Sequence, residues 1–266
     1  MTSHAILVPE SRLDIRPGAA PMLLLPQMAS SATGKALHSH PEGQLYLALQ
    51  GLIVIEAGAV RSVLPPGRMG WVPPGVVHGA SAYVGKAPDG MVGLNLYLKA
   101  GLCRQLPAEP VVLHASPLLR AVLARMREWP PGQALDARAA RLLGVLIDEL
   151  GAAVPDPLRL VMPRHPRLAR LAAAILADPA EDTSLDEWAG QLAMSRRSIT
   201  RHFRAETGMS LLEWRQMARL QRGMELLNGG GAVTTVAMTL GYDSVSSFIA
   251  LFRRMLGTTP AKFAAQ

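Results

Sequence analysis

Two stretches near the C-terminus share one pattern, and this repeat constrains the fold more than any other feature. The first covers residues 184–203, SLDEWAGQLAMSRRSITRHF, and the second covers residues 233–252, VTTVAMTLGYDSVSSFIALF. In each, apolar residues recur every three or four positions on both sides of a short break, which is typical of two amphipathic helices joined by a tight turn. Residues 211–227 between them have helical periodicity throughout. The sequence therefore predicts an all-α C-terminal region with tandem helix-turn-helix units.

The first unit has the residues that a DNA-reading helix needs. Ser184 and Glu187 form an S-x-x-E capping box at the start of its first helix, and Ser195 is a cap for the second. Residues 196–204 contain four arginines and no acid. Arginine donates paired hydrogen bonds to guanine and to phosphate. The alternative is an ordinary surface helix with solvated charges. We predict base contacts from the outward residues Arg196, Arg197, Thr200 and Arg201, with Arg204 on the same face.

The second unit has weaker chemistry on its reading helix. Its outward positions are small or apolar, and with the capping serine they are Ser244, Val245, Ser246, Ile249 and Ala250. Such side chains reach a thymine methyl group or a sugar, but they cannot form a charged fork. We therefore predict that the first unit discriminates bases, while the second positions the protein through the DNA backbone.

The helix predicted between the two units raises a separate question. Its apolar positions are predicted to be buried, and they are Leu212, Trp214, Met217, Ala218, Leu220, Met224 and Leu227. Arg215, Arg219 and Arg222 recur at helical spacing on it. Two alternatives stay open for these arginines: they follow the DNA phosphates, or they are solvated.

Composition limits the remaining possibilities. The 266 residues suffice for two ordinary domains, and the formal net charge of +7 suits a polyanionic partner. Cys103 is the single cysteine, so an intramolecular disulfide is excluded and a reducing compartment fits. The N-terminus has no secretory pattern and no apolar run is long enough to span a membrane. We expect a cytoplasmic protein that is not membrane-bound.

The N-terminal half has a different pattern. From residue 36 to about residue 99, short apolar runs alternate with glycine and proline clusters, which predicts a small antiparallel β-barrel or sandwich. Residues 65–67 and 73–75, both Pro-Pro-Gly, are predicted turns. Residues 1–36 are predicted to be an arm with one or two edge strands.

Two amphipathic helices follow the β-rich segment. Ser116-Pro117 predicts the start of the first, and residues 136–150 the second. Either the pair caps the barrel, or it is a dimerisation hairpin, or both. Residues 154–166 contain four prolines and predict a domain boundary. The predicted organisation is a barrel at 1–110, a helical linker or dimerisation hairpin at 111–155, and a DNA-binding domain at 156–266.

A specific resemblance covers the C-terminal region. The run A-x-x-x-A-M-S-x-x-x-I-x-x-x-F from Ala189, the segment FRAETG at 203–208, and the G-Y-D-S…F…F-R-R…G-T-T-P-A-K-F run at 241–263 resemble the AraC/XylS family of bacterial transcription regulators. In that family the base-reading positions of the first unit correspond to Arg197, Thr200 and Arg201. Those of the second unit correspond to Val245, Ser246, Ile249 and Ala250, where the family often has an arginine or glutamine.

A second resemblance covers residues 34–85. His38-x-His40, Gln44 and Gly51, followed by Gly67-x5-Pro73-Pro74-Gly75-x2-His78, are similar to the two motifs of the cupin superfamily. The resemblance implies an antiparallel barrel with His38, His40, Gln44 and His78 pointing inward as a metal-binding set. Gln44 stands where the family usually has a glutamate, and an amide is a poorer ligand than a carboxylate.

Three interpretations of the cluster stay open. Three imidazoles and one oxygen suit a divalent transition metal ion, Zn, Ni, Fe, Mn or Cu. The same side chains can hydrogen-bond an organic small-molecule effector without metal, or they are structural. Trp71, Tyr46 and Tyr97 either line a pocket or fill the core.

Together these patterns predict a transcription regulator and not an enzyme. The cupin-like domain would sense a metal ion or small molecule and control promoter binding. The expected partners are double-stranded promoter DNA, RNA polymerase and a second copy in a homodimer. The alternative is a metal-dependent cupin oxygenase or isomerase with an appended DNA-binding module. It is motivated by the three histidines, but the sequence offers it no second acidic residue placed for proton transfer.

Overall fold

The computed structural model describes residues 20–29, 33–34, 37–83, 91–130 and 133–265. The chain divides into two compact units. The first contains the described residues up to Gly58 together with Leu64–Pro157, and the second contains Ala59–Val63 together with Leu158–Gln266. The residues before Ala20, which include most of the predicted N-terminal arm, lie outside the described part of the chain.

The first unit is built on antiparallel sheet, as predicted. The strands of the chain are β1 Met22–Ala29, β2 Thr33–Gly34, β3 Gly43–Gln50, β4 Leu52–Ala57, β5 Val60–Leu64, β6 Arg68–Val72, β7 His78–Tyr83, β8 Met91–Leu98, β9 Val111–His114, β10 Pro155–Asp156 and β11 Arg159–Val161. One sheet has the order β1-β8-β3-β6-β9-β10, and in a second sheet β4, β7 and β2 are consecutive neighbours. The described strands lie in two sheets, so closure into a barrel stays a prediction. β1 lies at a sheet edge, which confirms the predicted edge strand.

Two helices cover the outer face of the first sheet. α1 is Pro117–Met126, capped by Ser116 with Pro117 at its first turn, and α2 is Ala137–Ala152, capped by Asp136. Their apolar faces join one core with the strand residues Leu45, Leu47, Leu94, Leu96 and Trp71, among others. This confirms the alternative in which the helices cap the sheet, and it places Trp71 in the core.

The second unit is almost entirely helical. Its helices are α3 Pro166–Ala177, α4 Leu185–Leu192, α5 Arg196–Thr207, α6 Leu211–Asn228, α7 Val233–Thr239, α8 Val245–Leu256 and α9 Pro260–Ala264. Both predicted helix-turn-helix units and the single helix between them are confirmed. Aromatic rings connect the second unit's core, with centroids 5.3 Å apart for Tyr242 and Phe248 and 5.6 Å for Phe248 and Phe252. No helix in the described ranges has the length and apolar character needed to cross a membrane.

The buried side of α6 contains the predicted residues with one exception. Leu212 is 67 % exposed, so its predicted burial is wrong. At 100° per residue, position 212 lies about 200° from Trp214 and therefore on the opposite face. Trp214 itself is fully buried and donates its indole N–H to the carbonyl of Val161 at 3.0 Å.

Arg215 and Arg219 of α6 have partners within the second unit, whereas Arg222 is 48 % exposed, as in the solvated alternative. Arg215 pairs with Asp182 at 2.8 Å and donates to the carbonyl of Thr183. Arg219 donates to the carbonyl of Pro179 at 2.7 Å and lies over the Tyr242 ring, 5.5 Å from its centroid. These side chains brace the loop before α4. They are therefore structural groups that hold the first helix-turn-helix unit against α6.

A short segment from the N-terminal half of the chain belongs to the helical unit. Arg61 in β5 donates to Gln221 and, at 2.6 Å, to the carboxylate of Glu225. Gln221 is fully buried and Glu225 is 7 % exposed. The adjacent β11 pairs with β5, with Leu160 opposite Arg61. Because a buried carboxylate needs a partner, Arg61 fixes this segment against α6.

Candidate functional site

Caps and buried side chains position α5, the first of the two helices that are predicted to read DNA. Ser195 caps it by accepting a hydrogen bond from the backbone N–H of Ser198. The preceding α4 begins with the predicted capping box, because Ser184 and Glu187 each accept from the other's backbone N–H. Ile199 and Phe203 are fully buried, and the Phe203 ring contacts Trp214 edge-on with centroids 5.8 Å apart. This packing leaves a single face of α5 toward solvent.

That face carries the residues predicted to read DNA. Arg196, Arg197, Thr200, Arg201 and Arg204 are all exposed and line one open depression of the surface. Arg196 makes an exposed ion pair with Asp186 at 3.2 Å. Arg197 makes no ion pair within the described residues. Exposed pairs of this kind are worth little, so the guanidinium groups are available to an anionic partner at small cost.

The second reading helix has the same framework with less charge. Ser244 caps α8 by accepting from the backbone N–H of Ser247. Ser246 and Ala250 are exposed, and Val245 and Ile249 are half-buried. The turn before α8 contains Gly241 at φ +72, where a Cβ would lie 2.8 Å from the carbonyl oxygen of Ala180. Only glycine fits there, so the turn is fixed tightly although its reading face is small and apolar.

In the N-terminal compact unit, the backbone brings three histidines together. His38 and His78 form an isolated antiparallel bridge, with N–H···O distances of 2.9 and 2.8 Å in the two directions. The carbonyl of His40 accepts from Gly75, which has a φ of +75 in the predicted Pro-Pro-Gly turn. The ring-nitrogen donor atoms of the three residues lie within 4.8 Å of one another. The cupin-like spacing thus produces the cluster that it implied.

Gln44 lies between two of these rings. Its Oε1 is 3.0 Å from Nε2 of His40 and 2.9 Å from Nε2 of His78, and its Nε2 donates to the Tyr97 hydroxyl at 3.0 Å. Gln44 is 2 % exposed and His78 is 1 % exposed. The register explains the contact with Tyr97, because Gln44 and Tyr97 are directly opposite in β3 and β8. The cluster is therefore a buried, connected network at one end of the sheet.

Two of the histidine rings turn Nδ1 toward a backbone carbonyl oxygen. Nδ1 of His40 lies 3.0 Å from the carbonyl oxygen of Glu42, and Nδ1 of His78 lies 2.8 Å from that of Val76. Oε1 of Gln44 lies at Nε2 of the same two rings, and because all of these oxygens only accept, a neutral ring donates from Nδ1 or from Nε2 but not from both. Donation from Nδ1 leaves the Nε2 lone pair for a metal ion. Metal-binding histidines are oriented in this way by a backbone carbonyl. The donor set therefore fits a metal ion, with the Gln44 amide as a neutral neighbour.

One contact in the cluster, that of Glu42, was missed by the sequence reasoning, and two tyrosines that it left as pocket or core residues lie beside the rings. The carboxylate of Glu42 lies 3.6 Å from Nδ1 of His40. Tyr97 and Tyr46 approach the rings edge-on, with centroids 5.5 Å from His40 and 6.4 Å from His78 respectively. Both tyrosines thus face the histidine cluster. The signal for Glu42 was its position between His40 and Gln44, whereas the tyrosines needed the strand register.

Known proteins resemble both halves of the chain. Residues 30–161 match the family model of the AraC-like ligand binding domain, and residues 188–266 match that of a helix-turn-helix domain. The HTH-type transcriptional regulator NimR of Escherichia coli (strain K12) is 32 % identical over 235 residues, covering 86 % of this chain and 82 % of NimR. The arabinose operon regulatory protein of Salmonella typhimurium is 24 % identical, covering 83 % of each chain.

Another relative matches over a shorter region. The HTH-type transcriptional regulator RipA of Corynebacterium glutamicum is 38 % identical over 99 residues, covering 37 % of this chain and 30 % of RipA. These relatives and family models describe regulators, so the enzyme alternative has no support. With helix-turn-helix units in one half and a ligand-binding domain in the other, the chain belongs to the AraC family of DNA-binding transcription regulators.

Proposed function

We propose that α5 selects the promoter sequence and that α8 positions the protein on it. The exposed, acid-free face of α5 carries this proposal. Arg197, Thr200 and Arg201 point from one helix face, so three donors enter one major groove together. Arg196 supports them at the start of the helix. In α8, the set Ser244, Val245, Ser246, Ile249 and Ala250 supplies van der Waals and backbone contacts.

Nuclease protection of the native promoter tests the assignment of α5. Arg197→Ala should remove protection while leaving the circular dichroism spectrum unchanged, because the side chain is exposed and makes no ion pair. Arg104→Ala, an exposed arginine of the first unit, is the matched control and should protect normally. Full protection by Arg197→Ala would reject α5 as the reading helix.

We also propose that the N-terminal compact unit is the sensor. In it, His38, His40 and His78 hold a divalent transition metal ion with Gln44 beside it. The convergence of the ring nitrogens and the backbone carbonyls at Nδ1 of His40 and His78 support this. The metal would supply a Lewis-acidic centre for an effector or be the signal itself. An organic effector bound to the same side chains is the second candidate, supported by the ligand-binding family model.

Elemental analysis separates these candidates. Native protein should contain one equivalent of metal per chain, and His40→Ala should lose it. Metal-free native protein that still responds to a small molecule would leave only the organic effector.

A homodimer through α2 completes the proposal. Its outward face carries Arg141, Gly144, Val145 and Asp148, with Val145 39 % exposed. Two antiparallel copies crossing near Gly144 bring Arg141 of one beside Asp148 of the other, which makes the surface self-complementary. Sedimentation velocity should show a dimer, a monomer for Asp148→Arg, and a dimer again for Asp148→Arg with Arg141→Asp. Persistence of the dimer in the single variant would exclude α2 as the interface.

The remaining elements of the proposal follow from this function. The sensor occupies residues 1–110, the helical linker 111–155 and the DNA-binding domain 156–266. A regulator of this family works in the cytoplasm, where promoter DNA and RNA polymerase are its partners.

A further inference from the structure

A row of uncharged polar side chains extends from the histidine cluster along one face of the first sheet. In the register, Gln44 is opposite Tyr97, Tyr46 is opposite Asn95, and Gln27 is opposite Gly93. Directly opposed residues of an antiparallel pair point to the same face, as do residues two apart along a strand. Gln27, Asn95 and Tyr46 therefore continue the face on which Gln44 and Tyr97 lie.

This face is turned toward the other sheet. A Cβ on Gly93 would lie 3.4 Å from Cδ1 of Ile53, and one on Gly70 would lie 2.4 Å from Cδ1 of Ile55, both in β4. The alternate residues of β8, Leu94 and Leu96, lie in the opposite core with α1 and α2. The polar row thus lies between the two sheets, with isoleucines of β4 as its apolar neighbours.

Two amides of the row have unmet hydrogen bonds. Oδ1 of Asn95 and Oε1 of Gln27 are buried without a partner, whereas the Gln44 amide contacts two imidazoles and a phenol. An unsatisfied buried polar atom destabilises the fold, so two neighbouring ones require an explanation. We propose that Asn95 and Gln27 recognise a small uncharged molecule that donates hydrogen bonds from hydroxyl, amide or N–H groups. This inference rests on the proposed sensor function.

The other side chains between the two sheets restrict the proposed ligand to an uncharged molecule. In the described strands β1, β3, β4, β6, β7 and β8, Arg68 at the start of β6 is the one lysine, arginine, aspartate or glutamate at an inward position, and it is already paired with Asp156 at 2.5 Å. A buried organic anion or cation needs a charged partner to offset its desolvation. The rings of Tyr46 and Tyr97 provide apolar surface beside the two amides. A neutral ligand with donors on one edge fits this combination.

The stability of the unliganded full-length protein tests the unmet hydrogen bonds directly. Asn95→Leu removes an unsatisfied amide of similar size, so the melting temperature of the sensor unit should rise by about 2–4 °C. Gln44→Leu is the matched control and should lower it, because two imidazoles and a phenol lose their partner. A fall for Asn95→Leu like that for Gln44→Leu would overturn the proposal.

Two isosteric pairs of probes test the charge preference. Nicotinamide is compared with nicotinate, and lactamide with lactate, by the melting temperature of the wild-type protein at millimolar concentration. The amide should raise it more than its carboxylate partner, and Asn95→Leu should remove that difference. A carboxylate that raises it more overturns the proposal. Nuclease protection by wild-type protein is measured separately, so loss of the regulator function and loss of this site are distinguishable.

Discussion

The two helix-turn-helix units have the same framework and different surfaces. α5 and α8 each have 12 residues and begin after a serine whose side chain accepts a hydrogen bond from the backbone N–H three residues later. Each ends at a glycine in the left-handed region, with φ 75 and 72 respectively. Yet α5 exposes Arg197 and Arg201 where α8 exposes Ser246 and Ala250. Buried apolar residues and caps specify the framework, whereas the exposed positions vary at almost no cost in stability. One framework therefore presents two kinds of surface, to which we assign two kinds of DNA contact in the proposal above.

The largest effect should come from truncating one side chain on the proposed DNA-contacting face of each helix. Arg201→Ala should weaken binding to the native promoter by about 5- to 150-fold and relax sequence preference, because a bidentate pair contributes about 1–3 kcal/mol of discrimination. Ile249→Ala should weaken binding less, and equally for native and scrambled DNA. Fluorescence anisotropy measures both. A larger, sequence-selective loss for Ile249→Ala would reverse the proposed roles.

The difference between α5 and α8 in their contribution to DNA affinity should diminish when α8 is given a positive charge. Ser246→Arg adds one phosphate contact at an exposed position, so affinity should rise at low salt and the slope of log K against log salt should steepen by about 0.9. Ala108→Arg places the same charge at an exposed position of the sensor unit and should leave the slope unchanged. An unchanged slope for Ser246→Arg would mean that α8 does not approach the DNA backbone.

The first helices of the two units differ in their caps. α4 begins with a capping box, whereas α7 begins after Ala232 with no side-chain cap. Ser184→Ala should destabilise the helical unit by about 1 kcal/mol, and Ala232→Ser should stabilise it by a similar or smaller amount. Urea unfolding followed by circular dichroism measures both changes. Destabilisation by Ala232→Ser would show that α7 begins in another way.

The smallest effect should be a pH dependence that only the capped helices contribute. Hydrogen bonds from Ser184 hold the pKa of Glu187 below its ordinary value of 4.5, and those from Ser210 do the same for the pKa of Glu213. A lowered pKa in the folded state stabilises the fold above the ordinary value, and this contribution is lost as the pH falls through the lowered one. α7 has no acidic residue in its first turn and contributes nothing comparable.

Urea unfolding between about pH 6 and about pH 3.5 checks this dependence. Glu187→Gln and Glu213→Gln should each reduce the loss of stability on acidification. Asp243→Asn removes an exposed acid outside the capping boxes and is the control. It should leave the slope of the unfolding free energy against pH as in the wild-type protein. Equal slopes for all the proteins would contradict the role of the capping boxes.

The sequence by itself determined the helices of the second unit, their caps and their buried faces. These depend on contacts three or four residues apart, such as Ser184 with Glu187, and local spacing records such contacts. It also indicated which histidines converge, because His38, His40 and His78 lie in motifs of fixed spacing. The exposure of Leu212 is the one error in the predicted face of α6.

Only the tertiary structure decided which side chains meet across long separations. Arg61 reaches Glu225, 164 residues away, and Arg215 and Arg219 contact the loop before α4. Asn95 shares a face with Tyr46 only because β8 pairs with β3 in one register, and a slip by one residue would turn it to the other side. Strand register is set by the packing of the whole sheet, which no local pattern in the sequence contains.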